Sequence, residues 1–181
     1  MIEAADKLTD TGAPKYGANE LEYVTKMLRG DDPDKRSWPQ RFEESFAEKL
    51  GVKYAIACNS GTSGLHMAMY AAGVGPGDEV ISPALTVVMD AYAAIHLGAV
   101  PVFADVDPVT ANIRVSELGR LCSNRTKGVI PVHMAGLPCN LEEIAQFCNK
   151  KNLSLIEDCA HALGSSYNTT HVGNFGLSGC F

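Results

Sequence analysis

From Lys53 onward, short apolar runs alternate with segments of helical pattern, and each run ends on a polar residue. The runs are Tyr54 to Cys58, Glu79 to Ser82, Val100 to Ala104, Gly128 to Val132 and Ser154 to Glu157. Between them, Thr62 to Ala72 reads as a helix closed by the turn Gly73-Val74-Gly75-Pro76-Gly77-Asp78. A second helix runs through Asp90 to Leu97 with Gly98 as its stop, and Leu141 to Lys150 is a third, amphipathic one. Strands this apolar must be covered on both faces, which calls for helices on either side of a mostly parallel sheet. The expected fold class is α/β, with ligands bound at the carboxyl ends of the strands. The residues that should line that rim are Asn59 to Thr62, Ser82, Asp105, His133 and Asp158.

The residues before Lys53 are patterned differently. Ala18 to Arg29 carries Leu21, Val24, Met27 and Leu28 at helical spacing, and a polar loop follows Gly30. Gln40 to Leu50 places Phe42, Phe46 and Leu50 on one helical face and closes with Gly51. Residues 1–39 are read as an arm with a helix, packed on a larger domain formed by 40–181.

A net charge of −6 with no Lys/Arg-rich block argues against nucleic acid or an anionic membrane as partner. The start has neither a basic leader nor an apolar signal region, and no apolar run approaches bilayer length, so a soluble cytoplasmic protein is expected. The six cysteines form no CxxC pair and read as buried free thiols rather than disulfides or metal ligands. No metal site is expected.

Two segments roughly a hundred residues apart carry the chemistry. In Asn59-Ser60-Gly61-Thr62-Ser63-Gly64 a strand end turns through small residues into a helix, whose free N–H groups suit a phosphate. Gly61 permits close backbone approach, while Thr62 and Ser63 add donors, although Ser and Thr also begin many ordinary helices. In Leu155-Ile156-Glu157-Asp158 an apolar strand delivers a carboxylate, Asp158, which would be costly to bury without a cation. A protonated pyridine nitrogen is such a cation, and pyridoxal 5'-phosphate meets both demands. Taken alone, Asp158 reads equally well as a cap for a helix beginning at Cys159 or Ala160. His161 stands three residues on, able to reach the cofactor's ring oxygen or brace Asp158, although an isolated histidine is more often a structural one satisfied by backbone, and His133, closing its strand, carries the same ambiguity between site and structure. Enzymes of this kind hold the cofactor on a lysine, yet Lys127, Lys150 and Lys151 read as surface charges. The chain is therefore expected to be a fragment.

The ordered motifs Asn59 to His66, Gly75-Pro76-Gly77-Asp78-Glu79-Val80, Pro101 to Pro108, Ile130-Pro131-Val132-His133 and Ile156 to Ala162 resemble the DegT/DnrJ/EryC1/StrS family of sugar aminotransferases, of pyridoxal phosphate fold type I. The resemblance implies the three-layer, mostly parallel sheet of the fold type I large domain, here incomplete at the C-terminus. It implies a homodimer that moves an amino group, usually from glutamate, to a keto group of a nucleotide-linked sugar. By the same resemblance Gly61, Thr62 and Ser63 bind the phosphate, Asp158 pairs with the pyridine nitrogen and His161 stands beside the ring. The Schiff-base lysine is expected beyond Phe181, so no catalytic residue is assigned here and the fragment is expected to be inactive. Val87 occupies a position where the family commonly has an aromatic ring stacked on the cofactor, a loss of about 0.5–1.5 kcal/mol by analogy with aromatic pairs. The dehydratase branch of the same superfamily, with histidine replacing the lysine, and a non-catalytic binding fragment are the alternatives. A nicotinamide-binding Rossmann domain is disfavoured, because the first glycine of GxGxxG is absent from the turn at Asn59.

Overall fold

A computed structural model describes residues 19–181; the expected start of the first helix at Ala18 and the arm before it lie outside the described residues. Helix α1 (Glu20–Arg29) ends at Gly30, and α2 (Trp38–Leu50) begins two residues before the expected Gln40, because Ser37 caps it by accepting the Gln40 N–H and Pro39 fits the first turn. Gly51 closes α2 in the left-handed region (φ 70°), donating its N–H to Ala47. Phe46 of α2 meets Phe181 edge to face at 5.2 Å, and Asn174 Nδ2 donates to the Leu50 carbonyl. None of the residues of α1 is buried.

The alternating part follows the expected order. It comprises α3 (Gly61–Ala71), β1 (Glu79–Pro83), α4 (Met89–His96), β2 (Val100–Ala104), α5 (Val115–Leu121), β3 (Thr126–Val129), a 3₁₀ turn at Met134–Gly136 and α6 (Leu141–Lys151). After it come β4 (Ser154–Asp158), the small hairpin β5 (Ser166–Tyr167) and β6 (Thr170–His171), and β7 (Ser178–Cys180). The main sheet has the order β2-β1-β3-β4-β7 with every neighbouring pair parallel. Side chains on a strand alternate between faces, and here both faces are apolar. Val80, Ile130 and Ile156 pack with Leu65, Met69, Ala93 and Ala94 of α3 and α4. Their neighbours Ile81, Val129 and Leu155 pack instead with Leu118, Ile144 and Cys148 of α5 and α6. The result is a three-layer α/β fold. Among the described residues, no helix is long and apolar enough to cross a membrane.

Two expectations are corrected. Tyr54 to Cys58 is not a strand: among the described residues, the only hydrogen bond that holds its backbone runs from Ala57 N–H to Glu43 Oε1, and Tyr54 and Ile56 are 73% and 75% exposed. β-prone residues need a ladder partner to satisfy their backbone groups, and no described segment pairs with this one. No helix begins at Cys159 or Ala160 either; Asp158 Oδ1 accepts the Ala160 N–H at 3.0 Å and the chain continues in turns. Of the cysteines, Cys139, Cys148, Cys159 and Cys180 are buried and Cys122 half-buried, but Cys58 is exposed, since the strand meant to bury it does not form.

Glu157 joins β4 to β7. It is fully buried, and its carboxylate accepts the N–H groups of Gly173 (2.8 Å), Phe175 (2.8 Å) and Gly176 (3.1 Å) together with His133 Nε2 (3.2 Å). His133 Nδ1 accepts the Cys139 N–H, which leaves the proton on Nε2 to donate to Glu157. Gly176 then lies against β4 so closely that an added Cβ would collide with the Leu155 carbonyl oxygen. Replacing Glu157 by alanine strands one buried donor, the His133 imidazole, and three half-buried amides, at about 1–3 kcal/mol for a buried donor and less for the amides. Urea unfolding should show a loss of at least ~3 kcal/mol, and the amides of Gly173, Phe175 and Gly176 should lose their hydrogen-exchange protection. Gly176→Ala should release β7 from β4 through the collision alone, with the same loss of protection in those amides.

Candidate cofactor site

The chain order of the sheet creates a switch point at its centre. The connection leaving β1 runs through α4 to β2 on one side, and the connection leaving β3 runs through α6 to β4 on the other. A crevice at the carboxyl ends of the strands follows from that divergence, and the expected site residues lie along this edge.

At one end of the crevice stands the start of α3. Ser60 is its N-cap: the side-chain oxygen accepts the Ser63 N–H (3.2 Å) and the carbonyl accepts the Gly64 N–H (3.1 Å). The N–H groups of Gly61 and Thr62 belong to the first turn, where a helix offers no internal acceptor, so both remain available to an anion. The same turn is tied to the sheet edge through Gly64, where a Cβ would lie 3.5 Å from Cys58 Sγ and 3.7 Å from Cys180 Sγ. Cys180 is the register partner of Asp158 across β7 and β4. The phosphate-binding candidates and Asp158 are thereby held on one rim.

Asp158 is half-buried at the end of β4. The carboxylate that is wholly enclosed is its neighbour Glu157, so the burial argument made from sequence applies to Glu157 and only in part to Asp158. Val87, on the connection into α4, is 60% exposed, and Tyr92 within α4 is 47% exposed. His161 lies on an exposed turn, and its side chain makes no hydrogen bond among the described residues. His133 is brought to the sheet interior and not to the rim. Lys127, in β3, and Lys150 and Lys151, at the end of α6, are exposed, as expected.

The residue that sequence reading missed is Asp90. It sits in the first turn of α4 and is 2% exposed. Its Oδ2 accepts the Thr86 hydroxyl at 3.1 Å, while Oδ1 is buried with no partner. Its carboxyl lies against that of Asp158, and no cation pairs with either group among the described residues. Burial, followed by the charge of Asp158, pushes the Asp90 carboxyl up to about 7. The helix dipole favours a negative charge in this first turn by about 0.3–1 kcal/mol, but an enclosed, unpaired charge costs several kcal/mol, so the cost of burial prevails. Ser82 Oγ, at the end of β1, is a second buried polar atom without a partner. An acid within the apolar stretch Met89-Asp90-Ala91-Tyr92-Ala93-Ala94-Ile95 was the available signal.

His133, Glu157 and Cys159 also bring one ligand atom each to within 4.8 Å of one another. Their atoms are already engaged internally: the imidazole by Glu157 and Cys139, the carboxylate by three amides, and the Cys159 thiol by the Glu157 carbonyl. Burial also pushes the Cys159 thiol far up, away from the thiolate a metal would need.

The residues present fit a phosphorylated pyridine. Two free N–H groups open α3, a carboxylate stands at the end of β4, and two unsatisfied buried oxygens lie at the ends of neighbouring elements. Comparison with known proteins agrees. The chain is 40% identical over 171 residues to GDP-perosamine synthase of Caulobacter vibrioides, covering 91% of this chain and 44% of that protein. It is 38% identical over 181 residues to the spore coat polysaccharide biosynthesis protein SpsC of Bacillus subtilis, covering 100% of this chain and 46% of that one. Among solved structures, an aminotransferase from Psychrobacter cryohalolentis superposes with a TM-score of 0.85 at 37% identity, over 92% of this chain and 42% of that chain. PseC of Helicobacter pylori, an aminotransferase involved in the biosynthesis of pseudoaminic acid, does so with a TM-score of 0.82 at 31% identity, over 92% and 45%. The chain thus spans less than half the length of the relatives it matches. The profile of the DegT/DnrJ/EryC1/StrS aminotransferase family matches residues 14–181, and the chain belongs to that family.

Proposed function

We propose that the protein to which this chain belongs transfers an amino group from glutamate to a keto group of a nucleotide-linked sugar, with pyridoxal 5'-phosphate as cofactor. The observation that carries the reading is the shared rim: Asp158 at the end of β4 and the open first turn of α3, joined through Cys180 and Gly64. Membership of the aminotransferase family and the identity to GDP-perosamine synthases support it. Two solved relatives at 30% and 27% identity are described as NtdA with bound cofactor PMP and as a sugar aminotransferase in its PMP form.

In this reading the N–H groups of Gly61 and Thr62 hold the phosphate, with Ser63 closing the turn and the Thr62 hydroxyl beside it. Asp158 accepts the ring N–H and keeps the ring protonated. Val87 covers one ring face, and His161 stands at the ring edge. The bound cofactor supplies the electron sink that amino transfer needs. Residues 1–39 serve as an arm on the cofactor-binding part, 40–181, and the working protein is a cytoplasmic homodimer. The 181-residue chain alone does not turn over, because its described lysines stand away from the rim.

Each assignment has a measurement. Asp158→Asn should weaken pyridoxal phosphate binding, followed by absorbance, at least tenfold while leaving the circular dichroism unchanged; unaltered affinity would remove Asp158 from the site. Val87→Phe should tighten binding about 2- to 12-fold, the factor that ~0.5–1.5 kcal/mol of ring stacking supplies, and no change would mean that this loop does not cover the ring. Glutamate-dependent conversion of a nucleotide-linked keto sugar, with 2-oxoglutarate released, should be absent for the 181-residue chain; measurable turnover would overturn the assignment of inactivity.

A further inference from the structure

We propose that Asp90 carries a proton shared with Asp158 and donates it in a hydrogen bond, making Asp90 the positioning residue for the carboxylate that meets the cofactor ring. The inference rests on the reading of Asp158 given above. Three observations support it. The Asp90 carboxyl is enclosed at 2% exposure and lies against Asp158, two groups that in their ionised forms can only accept. Oδ2 is satisfied by Thr86, whereas Oδ1 has no donor within reach. Asp158, for its part, receives among the described residues only the Ala160 N–H on Oδ1, which leaves it acceptor capacity. Two carboxylates in contact without a cation are resolved by one proton between them. The more enclosed of the two keeps the proton and becomes the donor; the more open one accepts the hydrogen bond and faces the crevice.

Among the described residues, the titratable groups within electrostatic reach of Asp90 are Asp158 from β4 and Cys180 from β7, whose thiol burial pushes up to about 12 and which therefore stays neutral near pH 7. The folded-state value of Asp90 is raised above 3.8. The stability it contributes is therefore complete below pH 3.8 and is lost as pH rises through about 7. A pyridinium brought to Asp158 favours ionisation of Asp90, so by linkage the ring should bind more tightly above that range than below it.

The first test is carbon NMR of the full chain labelled with ¹³C at the aspartate carboxyls. The Asp90 signal, identified by its loss in Asp90→Asn, should titrate near neutrality, and Asp158→Asn should lower its midpoint by about a unit or more. An Asp90 midpoint in the ordinary carboxylate range, or one indifferent to Asp158→Asn, overturns the proposal. The second test uses deoxypyridoxine 5'-phosphate, which has the ring and phosphate but no aldehyde. The ratio of wild-type to Asp90→Asn affinity should rise about threefold or more between pH 6 and pH 8. A constant ratio means that the proton on Asp90 is not coupled to a ring held at Asp158, and overturns the shared-proton pair on which the positioning role rests. Asp90→Ser, retaining a short donor, replaces Asp90→Asn if the latter does not fold. Should the probe bind neither protein, the cofactor reading fails, and the NMR titration still decides whether the proton is shared.

Discussion

The buried carboxylate of Glu157 is the point on which the C-terminal half of the structure is organised. A charge in the interior of a sheet is tolerated only when its lone pairs are filled, and here three amides of one loop, those of Gly173, Phe175 and Gly176, and an imidazole fill them. The same bonds hold residues 173–176 against β4, so that β7 enters the sheet parallel to it and brings Cys180 beside Asp158. His133 is fixed in the same act, and through its Nδ1 it holds the turn at Cys139 that leads into α6. One side chain therefore sets a strand register, a turn and the place of the candidate ring-binding carboxylate.

Most of the sheet was legible because parallel strands buried on both faces announce themselves as apolar runs. Val100 to Ala104 forms a strand at the bounds expected, and Leu141 to Lys150 is extended by a single residue. Tyr54 to Cys58 shows where that logic stops. Its composition is that of a strand, but pairing is a property of two segments, and composition describes only one. The short α5 (Val115–Leu121) escaped for the opposite reason: seven residues with Leu118 as its one buried side chain leave too little periodicity to read.

The site was legible in outline and misread in one respect. Glu157 and Asp158 are adjacent on a strand, and adjacent strand residues point to opposite faces. The sequence offers two neighbouring carboxylates and no means of saying which is enclosed, so the cost of burial was assigned to the one with an evident chemical use. Asp158 remains the rim residue, while Glu157 carries the burial. Asp90 lay further from reach, since its importance depends on a contact with Asp158 some seventy positions away that only the folded sheet creates.

Three carboxyl groups are buried among the described residues, and the fold deals with each differently. Glu79, at the amino end of β1, is held below the ordinary carboxylate range first by the Ser123 hydroxyl and then by Arg125. Glu157 is satisfied by backbone amides and His133 without a formal cation. Asp90 has a single hydroxyl donor and a second carboxyl beside it. The first two arrangements are complete within the chain, so they serve structure. The third is short of both a donor and a positive charge, and it is the one placed at the carboxyl edge of the sheet, where a ligand enters. The other buried side-chain oxygens without a partner among the described residues, Ser82 Oγ, Asn174 Oδ1 and Ser178 Oγ, belong to neutral groups; among the buried carboxyls of the described residues the incompletely satisfied one is at the rim, which argues that the missing partner of the Asp90 and Asp158 pair is the cation of a bound ring.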